Sequence, residues 1–222
     1  EQSQQGGNRM LSELRIVTIN KGKMDDWVDL FRERVAPLAR RLDINITGAW
    51  VDEERERFIQ IRSFADADDM ASKRARFVAN QEWRAIERRV LDLAAQQEIV
   101  QIQPIWYFDD WDNNHGLLAM DHCPIAQLRM YTVNKGTLAD WEDLYVRYEI
   151  PGHRTAGIPL EWLSHDLEEE RFIWIRAFQN KWDMEAAQDR FHRGPDWQAI
   201  KDRVPTMIAN SQVILMNPVE FE

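Results

Sequence analysis

Two hydrophobic rhythms run along this chain, and each occurs twice. Leu14-Arg15-Ile16-Val17-Thr18-Ile19 is apolar and β-branched, and Lys21-Gly22 punctuates it, so Glu13–Ile19 reads as a strand. The spacing then turns helical. Trp27, Leu30, Phe31, Arg34 and Leu38 fall close to the i, i+3, i+4, i+7 positions of one helix face. Asn45–Val51 and Arg57–Phe64 are short strands around the charged turn Asp52–Glu56, the pattern of a hairpin. Asp66 and Asp68 offer N-caps for a second helical stretch, which Asn80-Gln81 interrupts before Trp83–Ala95. Glu98–Tyr107 reads as the last strand.

The same order, strand-helix-strand-strand-helix-strand, returns without a gap at an offset of 114 residues. Leu14-Arg15 through Lys21-Gly22 overlies Leu128-Arg129 through Lys135-Gly136. Asp26-Trp27 overlies Asp140-Trp141, Arg57-Phe58-Ile59 overlies Arg171-Phe172-Ile173, and Trp83 overlies Trp197. About a third of aligned positions are identical, against roughly one in sixteen from average composition. The chain is a tandem duplication. In the second copy Gly194-Pro195 breaks the second helical stretch, because proline lacks the amide donor.

Leu14–Val17, Phe58–Ile61 and Ile99–Ile102 are apolar on both parities, whereas a sheet with one wet face should alternate. The second face therefore needs a cover. The expected architecture is α+β: two ferredoxin-like repeats forming a pseudo-dimeric barrel, antiparallel sheets face to face with helices outside. Residues 1–11 read as a disordered leader, 12–108 as the first repeat, 109–126 as a linker and 127–222 as the second repeat.

Composition narrows the partners. A formal charge of −10 with interleaved acids and bases excludes a nucleic-acid surface. No apolar run approaches the ~20 residues needed to span a bilayer. Cys123 is the one cysteine, so no internal disulfide forms. The Gln/Gly/Ser-rich start suits a cytoplasmic protein with a trimmed end, or a periplasmic or secreted one after signal cleavage.

Leu128 through Gly136, followed by Leu138, Trp141 and Leu144, resembles the opening of the NIPSNAP family, and Leu14 through Gly22 repeats it. Glu82-Trp83 and Asp196-Trp197 resemble that family's second-helix signature. The resemblance implies the dimeric α+β barrel superfamily, whose members include cofactor-free monooxygenases, polyketide cyclases and haem-degrading enzymes. It also allows a homodimer of the two-repeat chain. At the third strand, where the family commonly has His and Trp, this chain has Gln60 with Arg62 and Trp174 with Arg176, so no strand histidine carries over.

Positions where the copies differ point to a site, since shared residues are explained by the shared fold. Tyr145 replaces Phe31, Tyr148 replaces Arg34 and Tyr131 replaces Val17. His153, His165 and His192 replace Ala39, Val51 and Val78. Buried hydroxyls and imidazoles need partners, and a Tyr/His pair can move protons to and from a phenol or enol. Tyr145, Tyr148, His153 and His192 are therefore the acid/base candidates, with Arg129, Tyr131, Trp162, His165, Trp174 and Arg176 as substrate-binding candidates. Trp182 would suit the same aromatic lining. The arginines, shared with Arg15 and Arg62, could clamp a carboxylate or phenolate, or pair structurally with Glu13, Glu56 or Glu170.

Metal signals are weak: His115, Asp121, His122 and Cys123 lack zinc-pair spacing, and Asp109–Asn114 lacks the calcium-loop glycine and terminal Glu. The leading expectation is a protein that binds, and transforms without a cofactor, a small apolar or aromatic molecule in a pocket of the second repeat. Oxygenation, cyclisation and elimination all stay open. The alternatives are a haem protein with His192 as axial ligand, as the resemblance implies, and a non-catalytic binding or scaffolding module.

Overall fold

The computed structural model describes residues 10–105 and 123–221. The sequence expectations for the leader before Met10, for most of the linker with its His115–His122 and Asp109–Asn114 clusters, and for Trp106-Tyr107 lie outside the described residues. Two compact units divide the chain. Of the described residues, one holds 10–103 together with 219–221, and the other 104–105 and 123–218.

The first unit contains β1 (Leu11–Ile19), α1 (Met24–Leu30), a π turn (Phe31–Val35), α2 (Ala36–Arg41), β2 (Asn45–Asp52), β3 (Arg57–Phe64), α3 (Ala67–Ala79), α4 (Gln81–Leu93) and β4 (Ala94–Pro104). Its strands pair antiparallel in the order β4-β1-β3-β2. The second contains β5 (Ile125–Val133), α5 (Leu138–Leu144), a π turn (Tyr145–Glu149), α6 (Ile150–Ala156), β6 (Leu160–Asp166), β7 (Arg171–Phe178), α7 (Lys181–Arg193), α8 (Pro195–Ile200), α9 (Val204–Met207) and β8 (Ile208–Pro218). Its order is β8-β5-β7-β6, again antiparallel. Each unit is the ferredoxin-like split βαβ.

The caps fall where side-chain chemistry allows them. Asp66 Oδ1 accepts from Asp69 N at 2.8 Å, and Asn180 Oδ1 accepts from Asp183 N at 2.9 Å. Asn80, expected only to interrupt, caps α4 by accepting from Glu82 N at 2.8 Å. Pro195 opens α8 where its missing donor costs nothing. One boundary differs from the sequence reading. Ala94-Ala95-Gln96-Gln97 suits a helix by propensity, yet β4 already begins at Ala94, because Gln96 and Gln97 pair with Thr18 and Val17 of β1. A ladder of backbone bonds outweighs a few tenths of a kcal/mol of propensity.

The two-parity pattern has its counterpart in burial. On the helix side of the first sheet, Val17, Phe58 and Phe64 pack with Trp27, Phe31, Leu38 and Phe77. On the other face Leu14, Trp50, Ile59 and Ile61 are each 0% exposed, while Ile99, opposite Arg15 on the helix side, stands out at 38%. In the second sheet Phe172 and Trp174 meet Trp141, Leu144 and Tyr145, and Leu128, Ile173 and Ile175 are buried opposite.

That opposite face explains one tryptophan. Trp50 lies over Gly48, and a Cβ at Gly48 would fall 2.3 Å from its ring. In the second repeat the bulk changes places: Trp162 aligns with Gly48 and Ser164 with Trp50, and Trp162 Nε1 donates to Ser164 Oγ at 3.0 Å. The sheet has room for one indole on either of two alternate positions. Gly48→Ala is expected to cost about 1–3 kcal/mol by overpacking. Gly48→Trp combined with Trp50→Ser should recover most of that loss in urea denaturation. A single variant within about 0.5 kcal/mol of the parent would refute the volume argument.

Candidate functional site

The candidate site is built on the helix side of the second sheet. Antiparallel register sets Arg129 opposite Trp174 and Gln127 opposite Arg176, so these four side chains share one face. Above them the helix widens into the π turn, a feature that often marks functional positions. It presents Tyr145 and Glu149, and α6 adds His153 one turn later. All are deeply buried: Tyr145 is 0% exposed, His153 1%, Arg176 3% and Glu149 4%.

Aromatic rings wall the cluster. Tyr145 lies 4.7 Å from Phe172, 5.3 Å from Trp174 and 6.0 Å from Trp141 between ring centroids. The Arg129 guanidinium sits 5.5 Å over Trp174, and Arg176 sits 5.3 Å over Phe191. Arg129 donates to Gln127 Oε1 at 3.1 Å and to the Tyr131 hydroxyl at 2.8 Å. Yet Arg129 Nε, Arg176 Nε, Trp141 Nε1, Trp174 Nε1, the Tyr145 hydroxyl and His153 Nε2 are buried with no hydrogen-bond partner among the described residues. Buried polar atoms are normally satisfied, so six such atoms in one cluster are a concentrated exception.

His153 Nδ1 lies 2.5 Å from the Glu149 carbonyl oxygen, which can only accept, so Nδ1 carries the hydrogen. Nδ1 is also 3.6 Å from Glu149 Oε2, an ion pair only if the ring is charged. Burial, and then the positive charge of Arg176, push the His153 pKa well below its ordinary value. The ring is therefore neutral and Nε2 holds a lone pair. Burial lifts the Glu149 carboxyl to about 7 against the opposing pull of Arg176 and Arg129. Burial, reinforced by Glu149, raises the Tyr145 phenol well above its usual range, so it stays a donor. Burial and the neighbouring Arg129 bring Arg176 down to about 10. The cluster combines a neutral base, a neutral acid and two guanidiniums, a set able to accept a proton and stabilise the anion left behind.

The other sequence candidates scatter. Tyr131 is half-buried at the edge of the cluster beside Arg129, and Tyr148 is half-buried against the same core. Trp162 is on the opposite face of the sheet, turned there by the bulge between Leu160 and Trp162. His165 faces α5, with Nδ1 4.0 Å from Glu142. Trp182 is 83% exposed in the first turn of α7. His192 is exposed on α7 with its ring 5.4 Å from Trp197. A surface imidazole covered by an indole does not fit a haem axial ligand, and no step is routed through haem. Among the described residues no three His, Cys, Asp or Glu side chains gather as metal ligands.

Two members escaped the sequence reading. Glu149 stands where the first repeat has Val35, and Gln127 where it has Glu13. In the first repeat the buried Glu13 carboxylate pairs with Arg15 at 3.0 Å and Arg74 at 3.1 Å. The second repeat has lost that strand carboxylate and gained one on the helix, four residues after Tyr145 and thus on the same face. Both changes were visible in the repeat alignment; a Glu on a helix simply reads as solvated.

Comparison with solved structures gives likenesses of fold. A monooxygenase-like protein from Lactobacillus acidophilus NCFM matches with a TM-score of 0.64 at 11% identity, over 96% of this chain and 95% of that one. A monooxygenase-like protein from Fusobacterium nucleatum matches at 0.65 and 9%, over 96% and 93%. An anthrone oxidase-like protein matches at 0.64 and 11%, over 96% and 92%. The fold is the expected one, α+β with two ferredoxin-like repeats, in the dimeric α+β barrel class. No helix among the described residues is long and apolar enough to cross a membrane. No curated protein matches. The NIPSNAP family profile matches residues 12–110 and again 126–222, both copies of the repeat, and the chain belongs to the NIPSNAP family.

Proposed function

We propose that the chain binds a small, largely apolar or aromatic molecule with an acidic hydroxyl or C–H group between the sheet and helices of the second repeat, and removes its proton without a cofactor. The observation that carries this reading is the group of six unpartnered buried atoms among the described residues, one lone pair at His153 Nε2 and five donors in the same cluster. His153 is the base, Arg129 and Arg176 hold the oxyanion that forms, and Tyr145 returns or donates a proton. Tyr131, Trp174, Phe172 and Trp141 enclose the rings, and Gln127 and Glu149 position the arginines and the histidine. Tyr131 and Trp174 occupy the space that the first repeat leaves open, so entry is by the half-buried Arg129–Tyr131 edge with Tyr131 swinging aside. Elimination, cyclisation and oxygenation of such a compound all begin with this proton transfer. The likeness to an anthrone oxidase-like protein makes an anthrone a suitable first substrate. On an anthrone, His153 takes one proton of the ring methylene and dioxygen adds to the carbanion to give, once protonated, a hydroperoxide. Loss of the second proton of that carbon with cleavage of the O–O bond leaves the quinone carbonyl and releases water.

The test follows anthrone loss and oxygen uptake with the purified full chain. His153→Gln is expected to lower kcat by about 10²–10⁴, the usual worth of a positioned base. Tyr145→Phe, which restores the first repeat's residue, should lower it less and leave the far-UV spectrum unchanged. Because burial and Arg176 depress the imidazole pKa, activity should hold below pH 6.5 and fail only well on its acid side. Full activity in both variants would sink the assignment. So would the absence of both binding and turnover across anthrones and naphthols.

A further inference from the structure

The first repeat holds something the second does not repeat in kind. On the helix side of its sheet lies a cavity of about 360 Å³ lined by Arg15, Val17, Trp27, Gln60, Arg62 and Trp83, with Val35, Val90, Leu91, Ala94 and Ala95 along the walls and the exposed Glu87 also lining it. That volume is at the small end of the roughly 300–1,000 Å³ common for ligand sites. The repeat alignment shows how it arises. At four lining positions the second repeat carries a larger residue: Tyr131 for Val17, Trp174 for Gln60, Glu149 for Val35 and Ile208 for Ala94. The rings that wall the second repeat's cluster are the atoms missing here.

The floor of this cavity is cationic. Arg62 is 6% exposed, its guanidinium sits 5.1 Å over the Phe77 ring, and its one hydrogen bond among the described residues runs from Nε to the neutral Gln60 Oε1 at 3.2 Å. Arg15 is paired with Glu13, and Glu13 is also engaged by Arg74. Glu13 thus pairs with two guanidiniums, and Arg62 has no carboxylate partner among the described residues. Burial, and then the like charge of Arg15, pull Arg62 down to about 9. The sides are indole and aliphatic, the Trp27 Nε1–H is buried with no partner among the described residues, and Gln96 and Gln97 also line the cavity.

We infer that the first-repeat cavity is a binding site for a small organic carboxylate, its head group on Arg62 and its aryl or short alkyl body between Trp27, Trp83 and the valines. A carboxylate supplies the acceptors Arg62 lacks in a fork–fork geometry, and its body replaces the side chains lost at positions 17 and 60. This site is separate from the proton-transfer cluster of the second repeat.

The experiment is titration calorimetry of the full chain with 3-phenylpropionate, octanoate and benzoate, each beside its neutral amide. The acids should bind, and the amides should bind about 10–100-fold more weakly, as expected for losing a charge-assisted pair. Val17→Tyr with Gln60→Trp, which installs the second repeat's residues, should abolish binding while the protein keeps its circular dichroism. Arg62→Gln should reduce acid and amide to the same affinity. Equal affinity of acid and amide for the parent, or no binding by any acid, overturns the proposal. Binding that survives the filled cavity but disappears with Tyr145→Phe belongs to the second repeat. That result would reject this site and support the other.

Discussion

Asp52→Ala is expected to cost about 3–5 kcal/mol of stability, as much as removing one partner of a buried ion pair. The carboxylate is 1% exposed. Its Oδ1 accepts from Glu56 N and Arg57 N, both at 2.8 Å, and its Oδ2 accepts from Arg57 Nε at 2.7 Å. These three bonds close the β2–β3 hairpin, where Arg55 takes a left-handed backbone with φ of 57°. Alanine would leave two backbone donors and a half-buried guanidinium without their acceptor. Asp166 repeats the arrangement, accepting from Glu170 N at 2.9 Å and from Arg171 N and Nε at 3.0 Å. Asp166→Ala should therefore cost a similar amount. Asp52→Asn keeps the acceptor for the two amides and should recover about half the loss. Urea denaturation followed by circular dichroism decides it. A loss under about 1 kcal/mol for both alanine variants would mean that the turn holds without its carboxylate.

The same turn shows why the fold was legible from sequence. Asp52-Glu53-Glu54-Arg55-Glu56-Arg57 between two apolar runs can only be a turn. Its return as Asp166 through Arg171 turns one weak pattern into two independent observations of it. The duplication did the rest, since a boundary misplaced in one copy, such as the start of β4, is checked by the other. What failed was the balance of local and long-range terms. Ala94–Gln97 has helical propensity, but propensity is small beside the strand ladder that β1 offers.

The site was legible only in part, for a physical reason. Residue differences between copies picked out Tyr145, His153, Tyr131 and Trp174, which lie together on one side of the sheet. They could not separate inward from outward positions, because Trp162 is placed by a bulge and His192 by the far face of α7, and neither leaves a mark in the periodicity. Reading large and polar residues as the sign of a site also hid its converse. Val17 and Gln60 look like the plain version of Tyr131 and Trp174, but smaller residues beside arginines on the same sheet face are what opens a cavity.

The pair Glu149 and His153 gives the most diagnostic pH behaviour. In the unfolded chain between about pH 4.5 and 6.5, Glu149 is ionised and His153 protonated, so the pair binds one proton. In the folded protein Glu149 is lifted to about 7 and keeps its proton, while His153, pushed well below 6.5, is neutral. The pair again binds one proton, so in this window it contributes no slope to stability. Each single variant exposes the hidden half. With Glu149→Gln the folded pair holds no proton and the unfolded chain holds one. Stability should then fall as pH drops below 6.5, by up to about 1.4 kcal/mol per pH unit. With His153→Gln the remaining group is an acid of raised pKa. Its contribution is fully present below about 4.5 and lost as pH climbs to about 7, about 3 kcal/mol across the window. Denaturation at pH 5 and pH 7, each variant taken as a difference from the parent, cancels the background of other carboxylates. Opposite slopes would establish that one proton is held on the carboxyl beside a neutral imidazole, the state in which His153 Nε2 can act as a base. Parallel profiles would mean that Glu149 is ionised in the folded protein, and His153 would then lose its place as the proton acceptor.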